Sequence, residues 1–399
     1  FSNIYEERYG TTGYGTNINS GLYAGAGMNF GRGEDPFIYR TIWELWAAQY
    51  HSRILCRFNE FAIGAVENRV NYITGEEGFS IEVQPRHPDD TGVSELAKRT
   101  QDFLDVFTEV NDCSSMQSES MRRLDEDGEY FVRLYYRKDG MTYLRFVEPE
   151  HVISNMGDVL TPKYSFGIET AENDVCDIKA YWINEKPYTA TTPTRVDESE
   201  VVHGKLNSLG NAKRGYPSFI PVGPNLRRCE QLLQSLTQVA RTRAKIALIR
   251  KLTNVDSATA NRLVANITST KTQRSNLDNM PVSVEGLQDG SILTTGNNVE
   301  YNYPDYQFGA ADFVEVLQAE LRAIATRFQM PEWMFSALAD AKYNNAFIVE
   351  APTMKAFGRI QKKLHRPWVS GRVGQKRSIY WRAIAWAVAR GILPREVLT

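Results

Sequence analysis

The sequence has little cysteine, no long apolar run and no excess of either charge. Four cysteines in 399 residues (Cys56, Cys113, Cys176 and Cys229) stand far apart, none in a CxxC pair, and a chain this long needs no disulfide staples. Reduced thiols and a reducing compartment are expected. No stretch of about eighteen apolar residues occurs, so no membrane-spanning helix is expected. Lys and Arg number 46 against 48 Asp and Glu, a net charge of −2, which argues against a protein that coats nucleic acid. The start, Phe1-Ser-Asn-Ile-Tyr, has no initiator methionine and no basic-then-apolar leader, which predicts a processed or trimmed N-terminus. What remains, 42% hydrophobic and 24% charged, is the composition of a folded chain long enough for two or three domains.

Catalytic signatures are missing as well. The five histidines (His51, His87, His151, His203, His365) show no HExxH or HxH spacing, so no metal site is expected. There is no GxSxG elbow and no phosphate-binding GxxxxGK[ST] loop. Gly25-Ala-Gly27-Met-Asn-Phe-Gly31 has one residue too many for a dinucleotide fingerprint and follows no strand. Asp125-Glu-Asp-Gly-Glu129 lacks the spacing of a calcium loop and reads as a tight turn entering a strand. No acid stands apart from ordinary surface charge. No enzyme, cofactor or metal is expected.

What is present is a two-part pattern. Residues 10–33, rich in Gly, Asn, Ser and Tyr, predict an irregular arm. Helical spacing follows over 38–70 and 94–109, with an alternating strand at Phe79-Ser-Ile-Glu-Val-Gln. Strands at 129–136, 142–147, 177–183 and 200–203, separated by turns such as Lys138-Asp-Gly, complete an α+β module. The second half carries a helical period from Asn225 to Lys251, about 40 Å long if unbroken. It is cationic, with Arg227, Arg228, Arg241, Arg243, Lys245, Arg250 and Lys251 against the single acid Glu230. A short helix near Ser257 and a polar, strand-like stretch over 270–309 follow, including Pro281-Val-Ser-Val and Ser291-Ile-Leu. A second long helix spans Ala310–Gln329 and is ended by Pro331. A polar and aromatic break over 332–350 precedes another helix from about Pro352. From there to Arg382 the chain has cations and no acid: a solvated face, a phosphate contact, or a contact with acids of a neighbouring copy.

These segments together resemble the portal proteins of tailed bacteriophages, lambda-type branch. The resemblance is carried by Phe61-Ala-Ile-Gly-Ala-Val-Glu-Asn-Arg-Val70, Asp127-Gly-Glu-Tyr-Phe-Val-Arg133 and Val147-Glu-Pro149 in the first half. Val201-Val-His-Gly204, Arg214-Gly-Tyr-Pro-Ser-Phe-Ile-Pro-Val222 and Val284-Glu-Gly-Leu287 continue it, then Tyr303-Pro-Asp305. It is strongest at Leu321-Arg-Ala-Ile-Ala-Thr-Arg-Phe-Gln-Met-Pro331, followed by Tyr343-Asn-Asn345 and Arg359-Ile-Gln-Lys-Lys-Leu364.

The resemblance implies a portal fold: a flexible arm over 1–34, an α+β wing over 35–224 and two stem helices, 225–252 and 310–331. Between the stems lies a small β-containing clip, 253–309; after them come a tunnel loop, 332–350, and a long basic wing helix with the start of a crown, 351–399. Little crown is visible after Leu393, which implies a minimal crown or an absent C-terminus. It further implies a homo-oligomeric ring, usually of twelve subunits, at one capsid vertex of the virion, assembled in the host cytoplasm. The implied partners are double-stranded DNA passing without sequence specificity, terminase, a head–tail adaptor, the major capsid protein and scaffold, with no membrane. Lys342, Tyr343, Asn344 and Asn345 would form the channel loop. Arg241, Arg243, Lys245, Arg250 and Lys251 would form a basic stem face, and Lys355, Arg359, Lys362 and Lys363 the basic wing helix. The competing readings are another head–tail connector ring protein or a nucleic-acid-processing enzyme. Twelve copies would sum to about −24, compatible with a conduit that touches DNA lightly.

Overall fold

The computed structural model describes residues 39, 42–84, 91–154, 163–171, 174–185, 192–208, 212–251, 258, 291–295, 310–336, 343–369 and 378–398. The chain divides into two compact units, Phe1–Leu226 with Arg322–Thr399, and Arg227–Leu321. The arm expected over 1–34, the short helix near Ser257 and the strand at Pro281 lie outside the described residues.

In the first unit, α1 (Ile42–Phe58) and α2 (Glu60–Thr74) are two helices where one helical stretch is expected. Asn59 separates them: its backbone is extended and its side chain accepts a hydrogen bond from the Ala62 amide at 3.0 Å, satisfying a donor that no helical carbonyl reaches. Next come α3 (Thr91–Asn111) and α4 (Cys113–Glu126). The latter escapes a periodicity reading because the polar Gln117 and Ser120 share its buried face with Cys113, Met121 and Leu124. Both α1 and α4 pack against α2.

The segment 79–83, expected as a strand, is extended but belongs to no sheet. Its backbone pairs with helix side chains instead. Gln117 Oε1 accepts from the Phe79 amide at 2.6 Å. Gln101 Oε1 accepts from the Val83 amide at 2.8 Å, while its Nε2 donates to the Ile81 carbonyl at 3.1 Å.

Two antiparallel sheets follow. β1 (Glu129–Tyr136) is central between β2 (Thr142–Val147) and β7 (Val201–Lys205). The other sheet has the order β3 (Tyr164–Ser165), β4 (Ile168–Ala171), β5 (Asp174–Ile183), β6 (Thr194–Asp197). One apolar cluster joins the sheets: Phe131, Val147 and Val201 from the first meet Ile168, Tyr181, Ile183 and Val196 from the second. Because β1 also packs on α4, its first four residues are buried on both faces, and the strict alternation of a half-exposed strand is lost.

The second half contains α5 (Gly223–Lys245), β8 (Ile246–Lys251), β9 (Ser291–Thr295) and α6 (Ala310–Phe328). The long helix expected to reach Lys251 therefore stops at Lys245. The apolar run Ile246-Ala-Leu-Ile249 pairs in parallel with β9, and short apolar runs fit helix and strand alike by period. The second long helix ends within a residue of its expected limit, just before Pro331. After the short α7 (Trp333–Ser336), α8 runs from Tyr343 to Trp368, nine residues earlier than expected, and carries Pro352 within it. Next comes α9 (Ile379–Ala389), capped by Ser378, which accepts from the Trp381 amide, and a short 3-10 turn at Arg395–Leu398 follows. All four cysteines are unbridged; Cys56, Cys113 and Cys229 are buried and Cys176 exposed.

Candidate functional site

The short sequence Asp125-Glu-Asp-Gly-Glu129 organises the first unit. Rather than ordinary surface charge, Asp125, Asp127 and Glu129 are buried, each on its own arginine. Asp125 meets Arg69 at 3.0 Å, Asp127 meets Arg53 at 2.5 Å, and Glu129 meets Arg214 at 2.8 Å. A buried carboxylate without such a partner would be strongly unfavourable.

The third pair is the most elaborate. Arg214 spends its remaining donors on the carbonyls of Pro149, Val152 and Phe166, at 3.0, 2.9 and 3.1 Å. Glu129 also accepts from Gln49, the Gly215 amide and His203 Nε2, all within 3.0–3.1 Å. Burial alone would raise the Glu129 pKa, but Arg214 and His203 hold it below the ordinary value. Burial lowers that of His203, so a neutral imidazole donates Nε2–H to the carboxylate. The glycines beside these residues allow the approach. A Cβ on Gly128, whose φ is +80°, would lie 2.2 Å from the Tyr216 backbone, and one on Gly215 would lie 1.9 Å from the Gly128 carbonyl oxygen. The motifs at 127–133, 147–149, 201–204 and 214–222 thus meet at one junction, far apart in sequence but in mutual contact.

The second pair floors a cavity of about 540 Å³. Arg53 is clasped by Asp127 and Glu150, and Arg123 by Glu148 and Glu119. Trp43 and Trp46, edge to face at 5.0 Å, form a wall. Burial, helped by Asp127 and Glu119, pushes Glu126 up to about 7; burial pushes Asp127 up to about 6 against the pull of Arg53.

The residues singled out by sequence fall in different places. Tyr343, Asn344 and Asn345 form the first turn of α8 rather than a loop, and Lys342 lies outside the described residues. Arg241 is exposed on α5; Arg243 and Lys245 share that helix, but Arg250 and Lys251 belong to β8, so the five form no single helical face. Glu230 is the only acid of the 225–251 segment, and Glu320 of α6 adds a partner from outside it, taking Arg228 through two bonds of 2.8 and 3.1 Å. Lys355, Arg359, Lys362 and Lys363 are exposed on α8.

Residues 38–338 match the family model described as phage portal protein, lambda family. The chain belongs to that family. The family is structural rather than enzymatic. The match contains the buried junction, α5 and α6, and stops before α8. No curated protein matches the chain. Among solved structures, a chain of the virion of a native gene transfer agent (GTA) particle is similar at a TM-score of 0.42 and 12% identity, over 94% of this chain and 96% of that one. A chain of the neck of an empty GTA particle computed with C6 symmetry aligns at 0.41 and 13%, over 89% and 87%. One from the neck of a native GTA particle computed with C12 symmetry aligns at 0.33 and 13%, over 77% and 75%.

Among the described residues no group of His, Cys, Asp and Glu could hold a metal ion, and no helix is long and apolar enough to cross a membrane. Sequence reasoning missed the buried acids and the walled cavity. The signal available for the acids was their spacing: 125, 127 and 129 are alternate positions crossing from a helix end into a strand.

Proposed function

We propose that this portal-family chain assembles into a ring, of twelve copies in keeping with its family, at one vertex of a phage-like capsid. Duplex DNA passes through the ring during packaging and ejection. Residues 35–224 serve as the wing, 225–252 and 310–331 as stem, 253–309 as the clip, 332–350 as the channel segment and 351–399 as the long wing helix with the beginning of a crown. Terminase and later a head–tail adaptor dock on the clip, and capsid protein and scaffold surround the wing. The ring is a virion component that forms in the host cytoplasm.

The observation that carries this reading is the family match across 38–338, which takes in both long helices and the strands between them. A near-neutral subunit with small polar groups at Asn344 and Asn345 suits a conduit that must neither read bases nor trap phosphate. Negative-stain imaging of the purified chain is the test: rings with a central hole are expected. A monodisperse monomer by light scattering at every salt concentration, with and without capsid protein and scaffold, would remove the reading. Membership of the portal family also disfavours the smaller-adaptor and nucleic-acid-enzyme alternatives.

A further inference from the structure

Two surfaces of the first unit are left over from its internal pairing, and they are complementary. On α8, Lys355, Arg359, Lys362 and Lys363 are exposed and spaced at i, i+4, i+7 and i+8, so they share one face. No ion pair reaches any of the four among the described residues. The other surface is the cavity between α1, α4 and the turn at 148–151. Five carboxylates line it (Glu119, Glu126, Asp127, Glu148 and Glu150) against three arginines, Arg53, Arg57 and Arg123. Four of those acids are engaged with Arg53 and Arg123. Glu126, though largely buried, has no hydrogen bond or ion pair among the described residues. Trp43 stands at the cavity with 60% of its surface exposed. A half-dry carboxylate beside an open indole face is a seat for a cation.

We propose that this cavity is the socket for the basic face of α8 from a second copy of the chain, one of its four cations entering between Trp43 and Glu126. The inference rests on the ring reading, since a plug on one subunit and a socket on the next form a head-to-tail contact, the kind that closes into a ring. Duplex DNA is the weaker candidate for this α8 face. It could meet the cations, but it would leave the socket, with its excess of acid, unfilled.

The groups facing Glu126 give the contact a pH signature. Asp127, just past the end of its helix, and Glu119 on that helix raise it, Arg53 and Arg57 of α1 lower it, and Cys56 of α1 feels its charge. Glu148, Glu150 and His151 line the opposite wall. In the free subunit Glu126 is pushed up to about 7. An arriving cation pulls it down, so docking releases a proton and association strengthens as pH rises from about 5 to 7.

The test uses the full chain, with the ring fraction measured by native mass spectrometry or sedimentation. Glu126→Lys alone, and Lys355→Glu/Arg359→Glu/Lys362→Glu/Lys363→Glu alone, should each lower the ring fraction at least tenfold; combined, they should restore most of it. Glu126→Gln, nearly isosteric, should flatten the pH dependence, and it decides the matter if circular dichroism shows that the lysine variant does not fold. Undiminished rings in Glu126→Lys, or a combination no better than the worse single variant, overturn the contact. So do intact rings that lose duplex DNA when the α8 cations are reversed, which would assign that face to phosphate. If the wild-type chain forms no rings at all, it is the ring reading that fails, and the contact falls with it.

Discussion

Each buried acid of the 125–129 run is tied to a different element: Asp125 to α2 through Arg69, Asp127 to α1 through Arg53, and Glu129 to the 212–222 segment through Arg214. Removing one partner strands the other in a dry interior, which costs roughly 3–5 kcal/mol. Arg214→Met is expected to destabilise the folded chain by about that much, and Arg214→Met with Glu129→Gln by distinctly less than the sum of the two single changes. Denaturant midpoints in a double-mutant cycle check it. Glu126 behaves differently. Burial raises it from an ordinary 4.5 to about 7, so its contribution to the free subunit is complete below 4.5 and lost as pH rises through 7. Glu126→Gln, neutral throughout, should therefore gain stability relative to the parent between those values and level off above them. The gain is on the order of 2 kcal/mol after solvent screening, measured by melting the monomer across pH. The letters DEDGE show the alternate spacing of the acids but not their partners. A turn was readable there; which carboxylates turn inward depends on arginines 56 to 85 residues distant in sequence.

At the level of elements, the sequence was most readable where a single periodic face meets a single environment. The second long helix, ended by Pro331, falls within a residue of its expected limit. The reading weakened wherever tertiary partners decided the outcome. The stretch after Lys245 became a strand because β9 was there to pair with it. The 79–83 segment alternates like a strand but received glutamine side chains where a neighbouring strand would have been. Gln101 supplies both a donor and an acceptor, as a peptide unit does. Replacing it with alanine should speed hydrogen exchange at the Val83 amide about threefold to tenfold, the equivalent of one hydrogen bond, while leaving Asn59 and the α1–α2 junction unchanged. Exchange at Val83 no faster than in the parent would mean that the extended shape is held by its side chains alone.

For the whole molecule, charge was a poor guide on its own. A net charge of −2 weighs against coating DNA, yet the exposed basic residues of α8 and the buried acids near α4 show that the sum hides a strong separation. Family membership was legible through motifs spread along the chain, and four of them meet at one buried junction where glycine alone allows the close approach. The placement of the channel residues was less so: α8 begins at Tyr343, so the polar break narrows to the residues between Ser336 and Tyr343. If this break and the first turn of α8 face the channel, Lys342→Glu or Asn344→Asp should reduce DNA packaging or retention in assembled particles several-fold while ring formation is unchanged. Packaging assays on purified rings measure it, and parental levels in both variants would move the DNA contact elsewhere.

The first unit is built from both ends of the chain, Phe1–Leu226 and Arg322–Thr399. Late residues complete its packing: Trp368 is fully buried and buried Arg382 donates to the Val201 carbonyl, while nearer the surface Gln361 donates to the Ile73 carbonyl and Trp386 to that of Arg137. On the ribosome, these partners emerge only after about 95 intervening residues have been made, so the unit cannot finish folding until both of its segments have been synthesised. A chain that stalls early presents exposed apolar surface to chaperones and proteases instead of a finished subunit.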